Sequence, residues 1–250
     1  MRTLLVAMRC GQGDLGRNLT AHLWMLDHAA SAGGELVLFP EMSLTGSADP
    51  VTHPEWLIGL DHPAVAALAE ATGQTGVGAC FGVAERSPDG DPYIAQVFAV
   101  AGRVAGVQRK RYPGEGEEAF TAGTEPAVFA QGGVKFGVAL RAEAGFDEPF
   151  DAAAAGGARL VLFPAAPGLY GRRTSEDSWR EGFAWWVESA LGDARRHARR
   201  LGLWIALAGQ AGSTGDEDFP GLAALVGPDG SVTTRLPDWR AGVLLVEIPG

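Results

Sequence analysis

Three stretches of the chain set chemically capable side chains at the ends of apolar runs. In LVLFPEM, Glu41 follows a continuous apolar segment and a proline. A carboxylate at the carboxyl end of a core strand stands on the rim where α/β proteins build their sites, and burying it without a partner is costly. It reads equally well as an acid that handles protons or as a rim acid held in a salt bridge. In VQRKRYPGEGEEAF, Lys110 ends a strand and Glu115, Glu117 and Glu118 follow in a glycine-rich loop. Taken alone, alternating charge of this kind describes a solvated strand edge. In KFGVALRAEAGFDEPF an apolar strand stops at Arg141 and passes through Ala142 to Gly145 into a helix expected from about Asp147. Many α/β enzymes present a nucleophile at such a junction. A guanidinium there stays protonated and has donors but no acceptor, so it neither attacks a carbonyl nor takes up a proton.

Other patterns carry less. Gly11, Gly13 and Gly16 form G-x-G-x-x-G in LLVAMRCGQGDLGRN, between a strand and a helix. A dinucleotide site also wants an acid at the end of the next strand, whereas Glu35 opens that strand and Glu41 lies beyond its proline. Asp14 is placed to cap the incoming helix, so a turn and a cap are expected here rather than a nucleotide. The run Arg195, Arg196, Arg199 and Arg200 suits a helix C-terminus, where cations complement the macrodipole. The sequence holds no HExxH, CxxC, GKS/GKT loop or G-x-S-x-G elbow, and no histidine pair at ligand spacing. Neither a metal nor a cofactor is therefore expected.

The elements that would position these groups follow from a near repeat. AASAGGELVLFPE at residues 29–41 and AAAAGGARLVLFPAA at 152–166 each read as an alanine-rich helix, a glycine pair able to take positive φ, and a buried strand closed by proline. Looser copies occupy 65–85 and 194–210. Between them lie strands in hairpin-like order: YIAQVFAV and AGRVAGVQ, then VKFGVAL, then GLAALVGPDGSVTTRL around a PDG turn. Continuous apolar strands need cover on both faces, and helices on one side with a second sheet on the other supply it. The fold expected is an α/β four-layer α-β-β-α sandwich with one sheet from each half. A single doubly wound sheet is the alternative. No linker-like composition divides the chain, so residues 1–250 are expected to form one domain.

With 46% hydrophobic residues and a formal net charge of -10, the 250-residue chain can bury a sizeable core and repels polyanions. Nucleic acid and anionic membrane are excluded as expected partners, and a small molecule is left. Cys10 and Cys80, both in apolar runs, read as core thiols rather than a disulfide framework. The apolar run at the N-terminus is too short for a signal peptide and no run approaches a membrane span, so a cytoplasmic protein is expected.

Glu41 after FP, Lys110 after a strand ending QR, and a strand-end residue followed by Ala142 and Glu143 resemble, in order and spacing, the nitrilase superfamily of carbon-nitrogen hydrolases. The similarity runs from GDLGRNL through FPEMSLTG and GGARLVLFPAA to FPGLAALVGPDGSV. It implies the same sandwich, a glutamate as general base, a lysine on the oxyanion, a cysteine nucleophile and a second glutamate after the lysine. Carried over by position, Glu41 is the base, Lys110 the lysine, and Glu117 or Glu118 the second acid. Arg141 stands where the cysteine belongs. Ala142 supplies an amide to the oxyanion, and Tyr112 and Glu143 lie toward substrate. Tyr112 departs from a frequent histidine and Ser47 from a common tyrosine.

The reading that results is an amidase-like homologue that has lost thiol-dependent hydrolysis and keeps a charged pocket for an amide or carboxylate. The alternatives are a hydrolase in which Glu41 activates water and, more remotely, a dinucleotide-binding protein. Arg141 is expected to pair with Glu41 and fill the nucleophile's space; the alternative is that it joins Lys110 in gripping a carboxylate ligand through its bidentate fork. The resemblance also implies a homodimer, for which the helix face Trp179, Phe183, Trp186 and Ala190 offers apolar surface beyond one core's need.

Overall fold

The structure, a computed structural model, describes residues 1–215 and 217–249. In the first half, β1 (Arg2–Ala7), α1 (Leu15–Ser31), β2 (Leu36–Leu38), α2 (Pro63–Thr75), β3 (Gly78–Arg86), β4 (Pro92–Val100) and β5 (Arg103–Arg109) follow one another. The second half holds β6 (Val128–Gln131), β7 (Val134–Val138), α3 (Glu148–Ala155), β8 (Leu160–Ala165), α4 (Glu176–Leu201) and β9 (Trp204–Gly209). Five short strands complete it: β10 (Ala211–Thr214), β11 (Glu217–Pro220), β12 (Ala223–Val226), β13 (Val232–Arg235) and β14 (Gly242–Glu247).

Each α-helix is left through a glycine of positive φ: Gly33 at 70°, Gly76 at 73°, Gly157 at 80° and Gly202 at 66°. No side chain opposes that turn, and a buried strand follows each time, as the repeat requires. The strands form two six-stranded sheets, ordered β14-β1-β2-β3-β4-β5 and β13-β12-β9-β8-β7-β6. In each, three parallel strands occupy the interior, β1-β2-β3 and β7-β8-β9, and antiparallel strands extend both sides.

Because successive side chains leave a strand on opposite faces, each strand feeds two layers. Leu5, Leu36 and Leu38 meet Phe136, Leu160 and Leu162 between the sheets. Leu4, Val37, Phe39 and Phe81 instead pack on α1 and α2 through Leu26 and Leu68. Val161, Phe163 and Ile205 pack on α3 and α4 through Phe150, Trp186 and Ala190. The result is the α-β-β-α sandwich, and the single-sheet alternative falls.

Three local expectations are corrected. The halves do not each keep to one sheet, because β14 from the C-terminal end pairs with β1. Pro40 does end β2, but Pro164 lies within β8. Leu162 directs its carbonyl to Ala139, so Pro164, two residues on, turns its missing N–H to the same side, where β7 has already stopped at Val138. Finally, Phe183, Trp186 and Ala190 are consumed by the chain's own core, and Trp179 stacks on Trp239. That face leaves no surplus for a partner.

Candidate active site

Glu41, Lys110 and Arg141 converge because each follows the carboxyl end of a strand. Glu41 comes after β2, Lys110 directly after β5, and Arg141 opens a 3-10 turn, Arg141–Gly145, after β7. The side chains of Glu41 and Lys110 are both 1% exposed. Lys110 Nζ donates to Glu41 Oε1 at 2.6 Å and to Glu117 Oε1 at 2.7 Å. The other oxygen of Glu117 accepts the Gly114 N–H at 2.6 Å, and the other oxygen of Glu41 accepts the Arg141 N–H at 3.3 Å. One buried ammonium thus serves two carboxylates, which is what makes burying the three together tolerable.

The electrostatics follow. Burial pushes the Glu41 carboxyl above the usual carboxylate range, and the charge of Glu117 adds to this, while Lys110 and the Arg141 amide pull the other way. Burial opposes the charge on Lys110, but Glu41 and Glu117 outweigh it and hold the ammonium above its ordinary value. Lys110 is therefore a fixed cation, and Glu41 a carboxylate with raised proton affinity.

The backbone that carries Glu41 lies tightly on β3. A Cβ at Gly82 would collide with the Met42 nitrogen, and Met42 itself takes a φ of 48°. Gln210, at the end of β9, donates through Nε2 to the Glu41 carbonyl at 2.9 Å and to Ser47 Oγ at 3.3 Å. Sequence reasoning passed over Gln210, although a polar residue closing the buried run WIALAG is the same signal that marks Glu41.

The other expected residues divide. Glu117, not Glu118, reaches Lys110; Glu118 is exposed and accepts the Gly116 N–H. Ala142 lines a cleft of about 670 Å³ together with Ser47, Glu117 and Arg141. Glu143 and Tyr112 are not among the residues that line it. Glu143 is buried and accepts the N–H of Leu140 and of Arg111, each at 2.8 Å. It ties the residue before Arg141 to the residue after Lys110, with each oxygen turned to a backbone amide and away from the cleft lining. Tyr112 stacks on Phe146 with ring centroids 4.5 Å apart and donates to Glu148. The three glutamates of the loop therefore do different things, as the turn through Gly116, at φ 79°, directs them apart.

The expected ion pair of Arg141 with Glu41 does not form. Glu41 is already engaged by Lys110, and the Arg141 guanidinium lies over the Trp186 ring of α4, 4.9 Å from its centroid. Only the backbone of Arg141 touches Glu41. Neither thiol approaches the cleft: Cys10 and Cys80 are buried, with burial pushing Cys80 up to about 12 and Cys10 still higher. At the glycine-rich turn, Gly13 is backed by the Trp56 indole and Asp14 caps α1 at the Arg17 N–H. The turn-and-cap reading holds there.

The carbon-nitrogen hydrolase family model matches residues 5–250. The chain belongs to the carbon-nitrogen hydrolase family. Among curated members it is 31% identical to a formamidase of Bradyrhizobium sp. (strain ORS 278), over 67% of this chain and 50% of that protein. It is 26% identical to a glutamine-dependent NAD(+) synthetase of Rhodobacter capsulatus, over 99% of this chain and 43% of that one. The chain thus spans half or less of these relatives. Among solved structures, a cysteine-to-alanine variant of the Nesterenkonia AN1 amidase, from the nitrilase superfamily, superposes with a TM-score of 0.82 at 25% identity, covering 100% of this chain and 90% of that one. A variant of that amidase in complex with butyramide gives a TM-score of 0.82. Another variant carries the acetamide moiety of fluoroacetamide, covalently added at the active site cysteine, again with a TM-score of 0.82.

Proposed function

We propose that this carbon-nitrogen hydrolase homologue has Arg141 in the nucleophile's place, has lost thiol-dependent amide hydrolysis, and keeps a charged cleft for a small molecule. The observation that carries the reading is the identity and contact of residue 141. Its backbone N–H meets the Glu41 carboxylate beside the Lys110 ammonium, where a thiol would pass its proton to the carboxylate and the oxyanion formed as the thiolate adds to an amide carbonyl would be held. A guanidinium offers no lone pair for the attack. In this reading Glu41, Lys110 and Glu117 are retained machinery, Ala142 borders the space of the reacting carbon, and residues 1–250 act as one unit.

A second reading is favoured by one feature of the site. The raised proton affinity of Glu41 suits a general base, so Glu41 activating water on an amide, with Lys110 stabilising charge, is the alternative. The test is mass spectrometry for covalent adducts and product on formamide, simple amides and carbamoyl compounds. Wild type should show neither, and Arg141→Cys should gain weak activity sensitive to alkylation and lost again in Arg141→Cys/Glu41→Gln. Wild-type turnover that Glu41→Gln abolishes would replace the first reading by the second.

A further inference from the structure

The Arg141 side chain makes no hydrogen bond and no ion pair among the described residues; its one contact of note is the face of Trp186. It also lines the 670 Å³ cleft. A guanidinium resting on an aromatic ring has its edge, with its paired N–H donors, free to face a ligand. The neighbouring cation, Lys110, is not free in this way, since Glu41 and Glu117 both hold it. Arg141 is thus the one lining side chain that brings an unpaired positive charge to the cleft among the described residues.

The opposite sign is present too. Asp49, Glu115 and Glu217 line the same cleft, together with Glu117, which is held by Lys110. Asp49 and Glu115 are exposed, and Glu217 is half-buried and, among the described residues, accepts the Gly171 N–H on one oxygen. A ligand bearing only negative charge would satisfy Arg141 and be repelled by this wall. One bearing only positive charge would do the reverse. Trp185, 43% exposed, adds an apolar surface at the same opening.

We propose that the cleft binds a small zwitterion of the α-amino-acid class, its carboxylate on the Arg141 guanidinium, its ammonium toward Glu115 and Glu217, and its apolar side chain against Trp185. This rests on the reading that residue 141 no longer serves as a nucleophile, and turns that residue from a loss into a recognition group. The neighbouring cluster matters too: Lys110 is shared by Glu41 and Glu117, so the cluster offers no free cation and its excess negative charge adds to the acidic wall, leaving a ligand's carboxylate to Arg141.

Calorimetric titration of the full chain with L-phenylalanine, 3-phenylpropionate, 2-phenylethylamine and L-phenylalaninamide separates the charges on one apolar body. L-phenylalanine should bind most tightly, with each of the three singly charged analogues weaker by roughly tenfold or more, the scale of one charge-assisted contact. Arg141→Met should remove the advantage of L-phenylalanine over 2-phenylethylamine, and Arg141→Lys, which keeps the charge, should restore part of it. Glu115→Gln/Glu217→Gln should remove the advantage over 3-phenylpropionate. No binding of L-phenylalanine, or equal binding of the four compounds, overturns the zwitterion and leaves the lost-hydrolase reading standing. Release of phenylalanine from L-phenylalaninamide by wild type, followed in the same samples by mass spectrometry, overturns the lost-hydrolase reading instead.

Discussion

Lys110 is the side chain on which the buried charges depend, since its ammonium is the counter-ion of both Glu41 and Glu117. Lys110→Met would leave two carboxylates facing each other, one of them fully buried, and removing one partner of such a set costs about 3–5 kcal/mol. The cost should shrink as pH is lowered. Without Lys110 the Glu41 carboxyl, already raised by burial, rises further, and a group whose folded pKa exceeds its unfolded value favours the fold below the unfolded pKa and loses that advantage as pH rises. Urea unfolding should therefore show the largest deficit of Lys110→Met at pH 7 or above and a much smaller one near pH 4; a deficit independent of pH would show that packing, not charge, is lost. These residues were legible in the sequence because each ends an apolar run, a signal confined to a few neighbouring positions. The choice between Glu117 and Glu118, the clamp by Glu143 and the departure of the Arg141 side chain toward Trp186 were not, because each depends on a turn or on a partner far away in the chain.

The helix α1 positions the loop that carries Glu41 through two buried polar residues. Asn18 donates to the carbonyls of Gly11 and Leu44, and accepts the Gly11 N–H. His22 donates through Nδ1 to the Asn18 carbonyl at 2.6 Å and accepts at Nε2 from Ser43 Oγ at 2.9 Å, while Ser43 accepts the Gly82 N–H. This arrangement needs a neutral imidazole, and burial lowers the His22 pKa from 6.5 to about 4. The unfolded chain binds the proton first as pH falls. Stability from this residue is thus complete above pH 6.5 and is lost between there and about pH 4, a change of roughly 3 kcal/mol at 1.36 kcal/mol per unit. His22→Gln, which keeps a donor and an acceptor without a titrating ring, should flatten the fall in unfolding free energy across that window. An unchanged pH profile would assign the fall to other groups. Elements with the helix-glycine-strand pattern were readable in the same way as the site, because positive-φ glycines such as Gly76 and Gly202 punctuate them. The hairpin of β10 and β11, the edge strand β6 and the returning strand β14 were missed: each has six residues or fewer, and their pairing is set by partners rather than by periodicity. Glu217 entered the cleft on that unforeseen hairpin.

For the molecule as a whole, no described helix is long and apolar enough to cross a membrane, and the surface question becomes one of self-association. We propose a homodimer, as the family resemblance implies, although the helix face that first suggested it is spent on the core. Of the exposed large hydrophobic side chains, those carried on the helices are Trp185 on α4, 43% exposed, and Trp24 on α1, 60% exposed and stacked on His28, one in each helical layer. Large aromatic surfaces left to water are worth burying against a second copy. Opposing this, each 250-residue chain carries a formal net charge of -10, so two copies repel until salt screens them. The screening length shortens from about 30 Å at 0.01 M to about 10 Å at 0.1 M, whereas burial of aromatic surface does not weaken with salt. Sedimentation velocity at micromolar concentration should therefore show the dimer fraction rising with added sodium chloride. Trp185→Ser or Trp24→Ser should lower that fraction at every salt concentration, and whichever does so identifies the helical layer that forms the contact. A single species at the 26.1 kDa of one chain throughout would sink the dimer. Association that weakened as salt was added would show instead that complementary charge, and not these aromatic faces, holds the copies together.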